Sequence, residues 1–225
     1  LGKYMNTPET MLYKKSKVLF GLDHAKKSIA AEHRAVIVEG YTDVMAMHAA
    51  GVTTAVAACG TAFGEEHLQM LRRLMLDDSF FRGELIYTFD GDEAGQKAAM
   101  RAFEGEQQFM GQSYVAVAPP GMDPLDLRMA KGDVRDLVAQ RTPLVEFVLR
   151  TLLADYDVTT PNGRVEGVRR VVPVLAKISD ASLRDEYARE VAGWVGYGDE
   201  SVLVRRVREE VRRPSRDDGP RRRPV

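Results

Sequence analysis

The sequence predicts an α/β fold: a mainly parallel sheet flanked by helices, followed by an α-helical subdomain. Three observations predict it. Short apolar runs that read as buried strands alternate with helix-patterned stretches from about Arg34 to Lys131. Strands spaced by helices of that length imply right-handed crossovers and parallel neighbours. After Gly132 the apolar spacing turns helical throughout.

Taken in order, Val36–Glu39 is the first strand, and Thr42–Ala50 is a short helix with Thr42 as N-cap and Gly51 as its stop. Thr54–Ala58 is the second apolar run, ending in the turn Gly60-Thr61. Glu65–Leu76 is a helix with Leu68, Leu71 and Met75 on one face and Glu65 and Glu66 in its first turn, where the helix dipole favours acids. Leu85–Phe89 is the third strand. Glu93–Met110 is a helix with Ala94, Ala98, Ala102 and Phe109 near one stripe, and Tyr114–Ala118 is a fourth strand closed by Pro119-Pro120-Gly121. Four helices follow: Pro143–Tyr156, Arg164–Ile178, Ser182–Trp194 and Glu200–Arg212. In the first, Val145, Val148, Leu149, Leu152 and Leu153 make a stripe wide enough to face a core. Pro161-Asn162-Gly163 and Ser179-Asp180 read as turns, and Pro173 is expected to kink or split its helix. From Pro214 the Pro, Gly, Ser, Arg and Asp content is that of a disordered tail.

A chain of 225 residues with one cysteine, Cys59, holds neither an internal disulfide nor a cysteine-based zinc site, which suits a reducing compartment. No apolar run approaches a membrane span. The net charge of −1 hides basic flanks. Leu1–Arg34 holds seven Lys or Arg against three acids, and Val204–Val225 nine against four, leaving an acidic centre. Basic margins around acidic residues suit a polyanion held at the rim while cations occupy the middle. For the tail alone, a solvated basic end is the simpler reading.

The acids of the centre fall in an ordered pattern. Glu39-Gly40 follows the first strand, Asp90-Gly91-Asp92 the third, and Asp123 the fourth. Asp-Gly-Asp alone is an ordinary tight-turn tripeptide; the succession of strand and acid carries the reading. In an open parallel sheet, ligands gather beyond the carboxyl ends of the strands. Carboxylates converging there need a compensating cation, and oxygen ligands with phosphates nearby favour magnesium. Gly40 and Gly91 let the chain turn sharply near a ligand. Asp43 is either a fourth acid or a support for the first turn of its helix, and its place beside Thr42 favours the helix. His24, His33, His48 and His67 have no ligand-like spacing and read as structural or exposed. Tyr41 reads as packing beside the site.

Val36-Ile37-Val38-Glu39-Gly40-Tyr41-Thr42-Asp43-Val44 and Phe89-Asp90-Gly91-Asp92-Glu93-Ala94-Gly95 resemble the two signatures of the Toprim domain. Lys3–Thr10, Leu19–Leu22, Ala57–Ala62, Pro120–Pro124 and Ser182–Tyr187 are further similar to segments of the bacterial replicative primases of the DnaG type, so that the resemblance runs from about Lys3 to Trp194. It implies a basic linker over 1–33, a Toprim catalytic domain over 34–132, a helical subdomain over 133–213 and a basic tail over 214–225. It also implies a cytoplasmic bacterial enzyme that makes short RNA primers on a single-stranded DNA template from nucleoside triphosphates, by metal-dependent nucleotidyl transfer. Glu39, Asp90 and Asp92 take the catalytic positions. Glu39, Asp90, Asp92 and Asp123 take the metal positions, for two or more Mg²⁺ or Mn²⁺ ions. The family's third motif is Asp-Pro-Asp; here it reads Asp123-Pro124-Leu125-Asp126, which makes Asp126 an outer contact displaced by one residue. Lys3 and Lys15, with Lys14 and Lys17 beside them, fall where the family lines its template groove, or else form a solvated face. Zinc belongs to a domain absent from this chain, and contact with the replicative helicase to a C-terminal domain expected beyond it. A Toprim nuclease and a non-catalytic DNA- or protein-binding scaffold are the alternatives. A topoisomerase would need a tyrosine nucleophile in a separate domain.

Overall fold

The computed structural model describes residues 8–11, 13–58, 60–75, 83–89, 93–105, 112–119, 122–130 and 132–213. The expectations for Lys3, Asp90, Gly91, Asp92, Cys59, Leu76, Phe109, Met110, Pro120-Gly121 and the tail from Pro214 lie outside the described residues. The chain forms two compact units, Leu1–Val148 and Leu149–Val225.

The first unit is built on β1 (Leu19–Phe20), β2 (Arg34–Val38), β3 (Ala55–Ala58), β4 (Glu84–Phe89), β5 (Gln112–Val117) and β6 (Thr142–Pro143). Their order is β1-β3-β2-β4-β5-β6, with the four inner strands parallel and the two short edge strands antiparallel. Between them run α1 (Leu22–Glu32), α2 (Tyr41–Ala49), α3 (Glu65–Met75), α4 (Glu93–Gly105), α5 (Pro124–Met129) and α6 (Val134–Ala139). The predicted alternation of strand and helix is present. The edge strands, α1, α5 and α6 are additions, and the basic N-terminal segment supplies β1 and α1 to this unit.

The pleat sorts the strand residues between two faces. Val36, Val38, Ala55, Ala57, Ile86 and Ala116 pack with Val44 and Met47 of α2 and with Val134 and Val138 of α6. Ile37, Tyr87 and Phe89 point to the other face, toward α3 and α4. The topology explains the division. The chain steps outward from β2 to β3, then returns across β2 to β4 and continues to β5. Right-handed crossovers in opposite directions put α2 on one face and α3 and α4 on the other.

Local chemistry at α2 differs from the expectation. The N-cap is Gly40, not Thr42, and the Asp43 carboxylate reaches back to accept the Gly40 N–H at 2.9 Å. Asp43 is thus a buried helix-turn acid. Gly40 has an extended backbone (φ −121°), so it is not a conformational requirement. A Cβ there would come within 3.1 Å of Asp43 Oδ2, so the site needs space rather than an unusual turn. Gly51, at φ 93°, ends the helix as expected.

The second unit contains the end of α7 (Leu144–Ala154) with α8 (Pro161–Ala176), α9 (Ala181–Trp194) and α10 (Glu200–Val211). Leu203 and Val207 of α10 are buried, as are Val168, Val171 and Leu175 of α8 and Ala188 and Val191 of α9; α10 packs on both partners. Each fully buried Val or Leu contributes about 1.5–3 kcal/mol. Pro161-Asn162-Gly163 is the first turn of α8 rather than a connection. Thr160 caps it by accepting the Gly163 N–H at 3.1 Å, and Pro161 occupies a first-turn position where its missing N–H costs nothing. Pro173 does not split the helix, which runs through it to Ala176. Its ring is on the exposed side, where water can reach the carbonyl it leaves without a donor, while Val171, Val172 and Leu175 bury the opposite side.

Candidate functional site

The reversal in strand order makes the gap between β2 and β4 a topological switch point, the place where an α/β sheet opens a crevice at its carboxyl edge. Glu39 is the residue after β2, and Asp90 is the next residue in sequence after β4. The register brings the two strand ends level. Ile37 pairs with Tyr87, and the buried Thr88 hydroxyl donates to the Ile37 carbonyl at 3.0 Å, pinning β4 to β2 just before both chains leave the sheet. β5 ends at the same edge, since Phe89 pairs with Val117 and the Ala118 N–H donates to the Phe89 carbonyl at 3.2 Å.

Glu39 is exposed and stands at the rim of a cavity of about 480 Å³ between the sheet, α3 and α4. Phe63, Tyr87 and Phe89 form an aromatic wall: the Phe63 ring meets Tyr87 edge-on at 5.7 Å, and Tyr87 and Phe89 stack at 5.8 Å. Ala98, Arg101, Ala102 and Gly105 of α4 supply the facing side. Tyr41 packs on Phe20 with ring centroids 4.8 Å apart.

Asp123, beyond β5, caps α5: its Oδ1 accepts the Asp126 N–H at 2.6 Å. Asp126 itself is exposed in the first turn of that helix. Asp133 caps α6 and holds Arg135 through paired hydrogen bonds, which keep its carboxyl down at about 2. Among the described residues no group of three or more side chains is assembled to hold a metal ion. Of the proposed carboxylates, Glu39 and Asp123 are described, and Asp90 and Asp92 are not.

The donor set nevertheless fits a hard divalent cation. The candidate ligands are all oxygen donors, and the imidazoles are engaged elsewhere. His33 bonds the Met75 carbonyl at 2.7 Å, His48 the Ala55 carbonyl at 2.9 Å and His67 the Lys15 carbonyl at 2.9 Å. Oxygen donors without nitrogen or sulfur among them favour a hard cation such as Mg²⁺ or Mn²⁺ over softer metals. The long-range partners of these histidines were not legible in the sequence, and neither was the Thr88 brace.

Lys14 and Lys17 are exposed and Lys15 is half-buried, around a 3₁₀ turn over Lys15–Lys17 that packs on α3. Lys17 Nζ lies 3.8 Å from Glu66. The Glu66 carboxyl is lowered chiefly by a hydrogen bond with Ser16, then by the charges of Lys17 and Lys14.

A family model described as the Toprim domain matches residues 33–116, and one described as the DnaB-helicase binding domain of primase matches residues 145–200. The DNA primase of Mycolicibacterium smegmatis is 66% identical over 98% of this chain. The chain spans 35% of that relative and about a third of the other curated mycobacterial primases it matches. Among solved structures, the RNA polymerase domain of Mycobacterium tuberculosis primase DnaG in complex with double-stranded DNA is 66% identical, with a TM-score of 0.79 over 88% of this chain and 62% of that one. A DnaG primase catalytic domain bound to single-stranded DNA is 32% identical, with a TM-score of 0.71 over 85% of this chain and 61% of that one.

Proposed function

This chain belongs to the bacterial DnaG-type primases, corresponding to the Toprim-bearing part of their RNA polymerase region, and from that premise we propose that it carries the catalytic carboxylates of a DNA-directed RNA polymerase that lays down RNA primers on single-stranded DNA during replication. The observation that carries this reading is Glu39 at the carboxyl end of β2, level with the end of β4 across the switch point. Glu39, Asp90, Asp92 and Asp123 are the residues that would hold two Mg²⁺ or Mn²⁺ ions, with Asp126 as an outer contact. When bound, such ions activate the primer 3′-hydroxyl and neutralise charge on the triphosphate. The chain's own part is positioning and electrostatics: the β2–β4 brace fixes where Glu39 emerges, and Asp123 is oriented by capping α5.

Lys3, Lys14, Lys15 and Lys17 contact template phosphates with little sequence readout. The helical part is a partner surface for the replicative helicase. The family match that supports this falls on residues 145–200, inside this chain, whereas the sequence expectation looks to a domain beyond it. The division at 34–132 for the catalytic domain and 133–213 for the helical subdomain is retained as part of the proposal.

The test is template-directed ribonucleotide incorporation by a polypeptide of the relatives' full length carrying Glu39→Gln. Loss of incorporation with folding intact is expected. Undiminished synthesis would refute the role of Glu39, and metal-dependent cleavage of the template in place of synthesis would favour a nuclease.

A further inference from the structure

His67 is buried, with 1% of its surface exposed, on the first turns of α3. Its two ring nitrogens are both committed. Nδ1 accepts the Gly64 N–H at 3.2 Å, so the ring proton sits on Nε2, which donates to the Lys15 carbonyl at 2.9 Å, 52 residues away in sequence. Only the neutral Nε2–H tautomer satisfies both bonds. The Phe63 ring stacks on the imidazole at 5.5 Å and fixes its plane. The Lys15 carbonyl also accepts the Val18 N–H at 3.2 Å, so the imidazole binds the turn at the atom that closes it. Around this bond the contacts are weak or exposed: the Lys17–Glu66 pair at 3.8 Å and the Ser16–Glu66 hydrogen bond.

We propose that His67 is a positioning residue for the template, clamping the Lys14–Lys17 turn to α3 through the Lys15 carbonyl so that the lysines meet the phosphate backbone as a preformed array. The proposal rests on the template role given to those lysines above. An exposed lysine turn without the clamp binds phosphate only after being ordered, and that ordering weakens binding. Because His67 bonds the backbone of Lys15, the clamp itself occupies none of the ammonium groups. The same α3 turn, through Gly64, Glu65 and Leu68, lines the cavity whose rim carries Glu39, so the clamp also fixes the lysines relative to the catalytic edge.

The test compares His67→Phe, which keeps an aromatic ring in the buried site but removes both hydrogen bonds, with His67→Gln, which restores a donor toward Lys15. Lys14→Ala/Lys17→Ala serves as control. Binding of single-stranded DNA is followed by fluorescence anisotropy across a salt series, and binding of Mg²⁺ with a nucleoside triphosphate by calorimetry. We expect His67→Phe to weaken DNA binding about tenfold and to flatten its salt dependence toward that of the lysine control. His67→Gln is expected to recover most of the loss, and cation–nucleotide binding to hold in both. The proposal is overturned if His67→Phe binds DNA normally while the lysine control does not, which leaves the template reading standing. It is equally overturned if His67→Phe loses DNA and nucleotide binding together, the signature of a merely structural role, or if the lysine control binds normally, which removes the template reading as well.

Discussion

In the helical unit several described acids cap helices or pair with arginines, whereas in the sheet unit Glu39 follows the end of a parallel strand at a cavity rim. Asp180 and Asp199 cap α9 and α10, Glu186 pairs with Arg189, and Glu210 pairs with Arg213. Asp185 binds Arg208 through two hydrogen bonds that tie α9 to α10, and the bond from Arg208 holds its carboxyl below the usual range. In the sheet unit Asp43, Asp123 and Asp133 also cap helices, but Glu39 lies past a strand, exposed on a cavity rim. A cap or an ion pair accounts for an acid by stability, though Asp123 is proposed to combine its cap with metal binding; Glu39, past a strand end, is assigned to a ligand by the proposal. The count of acids in a region says little; their place relative to strand ends and helix caps says more.

That contrast can be broken by substitutions on either side. The largest effect belongs to Glu39→Gln, expected to cut nucleotide incorporation on the order of a thousandfold while shifting the unfolding free energy by no more than about 0.5 kcal/mol, as for an exposed residue. A comparable loss of stability would place Glu39 with the structural acids. Leu203→Ala, in the α8–α10 core, should destabilise by about 2–5 kcal/mol in denaturant titration, with no direct effect on cation binding. Asp185→Asn should cost about 1–2 kcal/mol, since Arg208 is half-exposed and partly screened. Its pH dependence has a definite sign. The folded-state carboxyl is lowered, so its contribution is present above the ordinary aspartate value near ~4 and is lost as pH falls through the folded-state value. Wild type and variant should therefore converge in stability once pH falls below the folded-state value; a constant gap would contradict the ion pair. The smallest effect is Thr160→Ala at the α8 cap, about 1 kcal/mol by thermal unfolding.

Much of this architecture was legible because local pattern and burial agree. The runs at Val36–Val38, Leu85–Phe89 and Tyr114–Val117 are apolar enough to be inner strands, and Leu68, Leu71 and Met75 mark the buried side of α3. What escaped depended on partners far away in sequence. β1 and β6 are two-residue strands defined only by their pairing with β3 and β5. α1 buries only Ala25 and Ile29 within a basic stretch, too little for periodicity to register, and α5 and α6 are six-residue helices held by aspartate caps. At the site, the succession of acids after strands was readable, but the Thr88 brace, the aromatic wall and the His67 clamp join residues that no spacing rule connects. Pro173 does not split its helix: its ring side is exposed, where water can reach the carbonyl it leaves without a donor.

The most direct measurement is calorimetric titration of Mg²⁺ or Mn²⁺ into this chain, with and without a nucleoside triphosphate, alongside Glu39→Gln and Asp90→Ala. The proposed metal site at the β2–β4 switch point predicts cation binding that tightens with nucleotide and is lost in both variants, with their thermal unfolding unchanged. Cation binding that persists in both variants, or its absence from a wild-type chain verified as folded, would contradict a metal site at that edge.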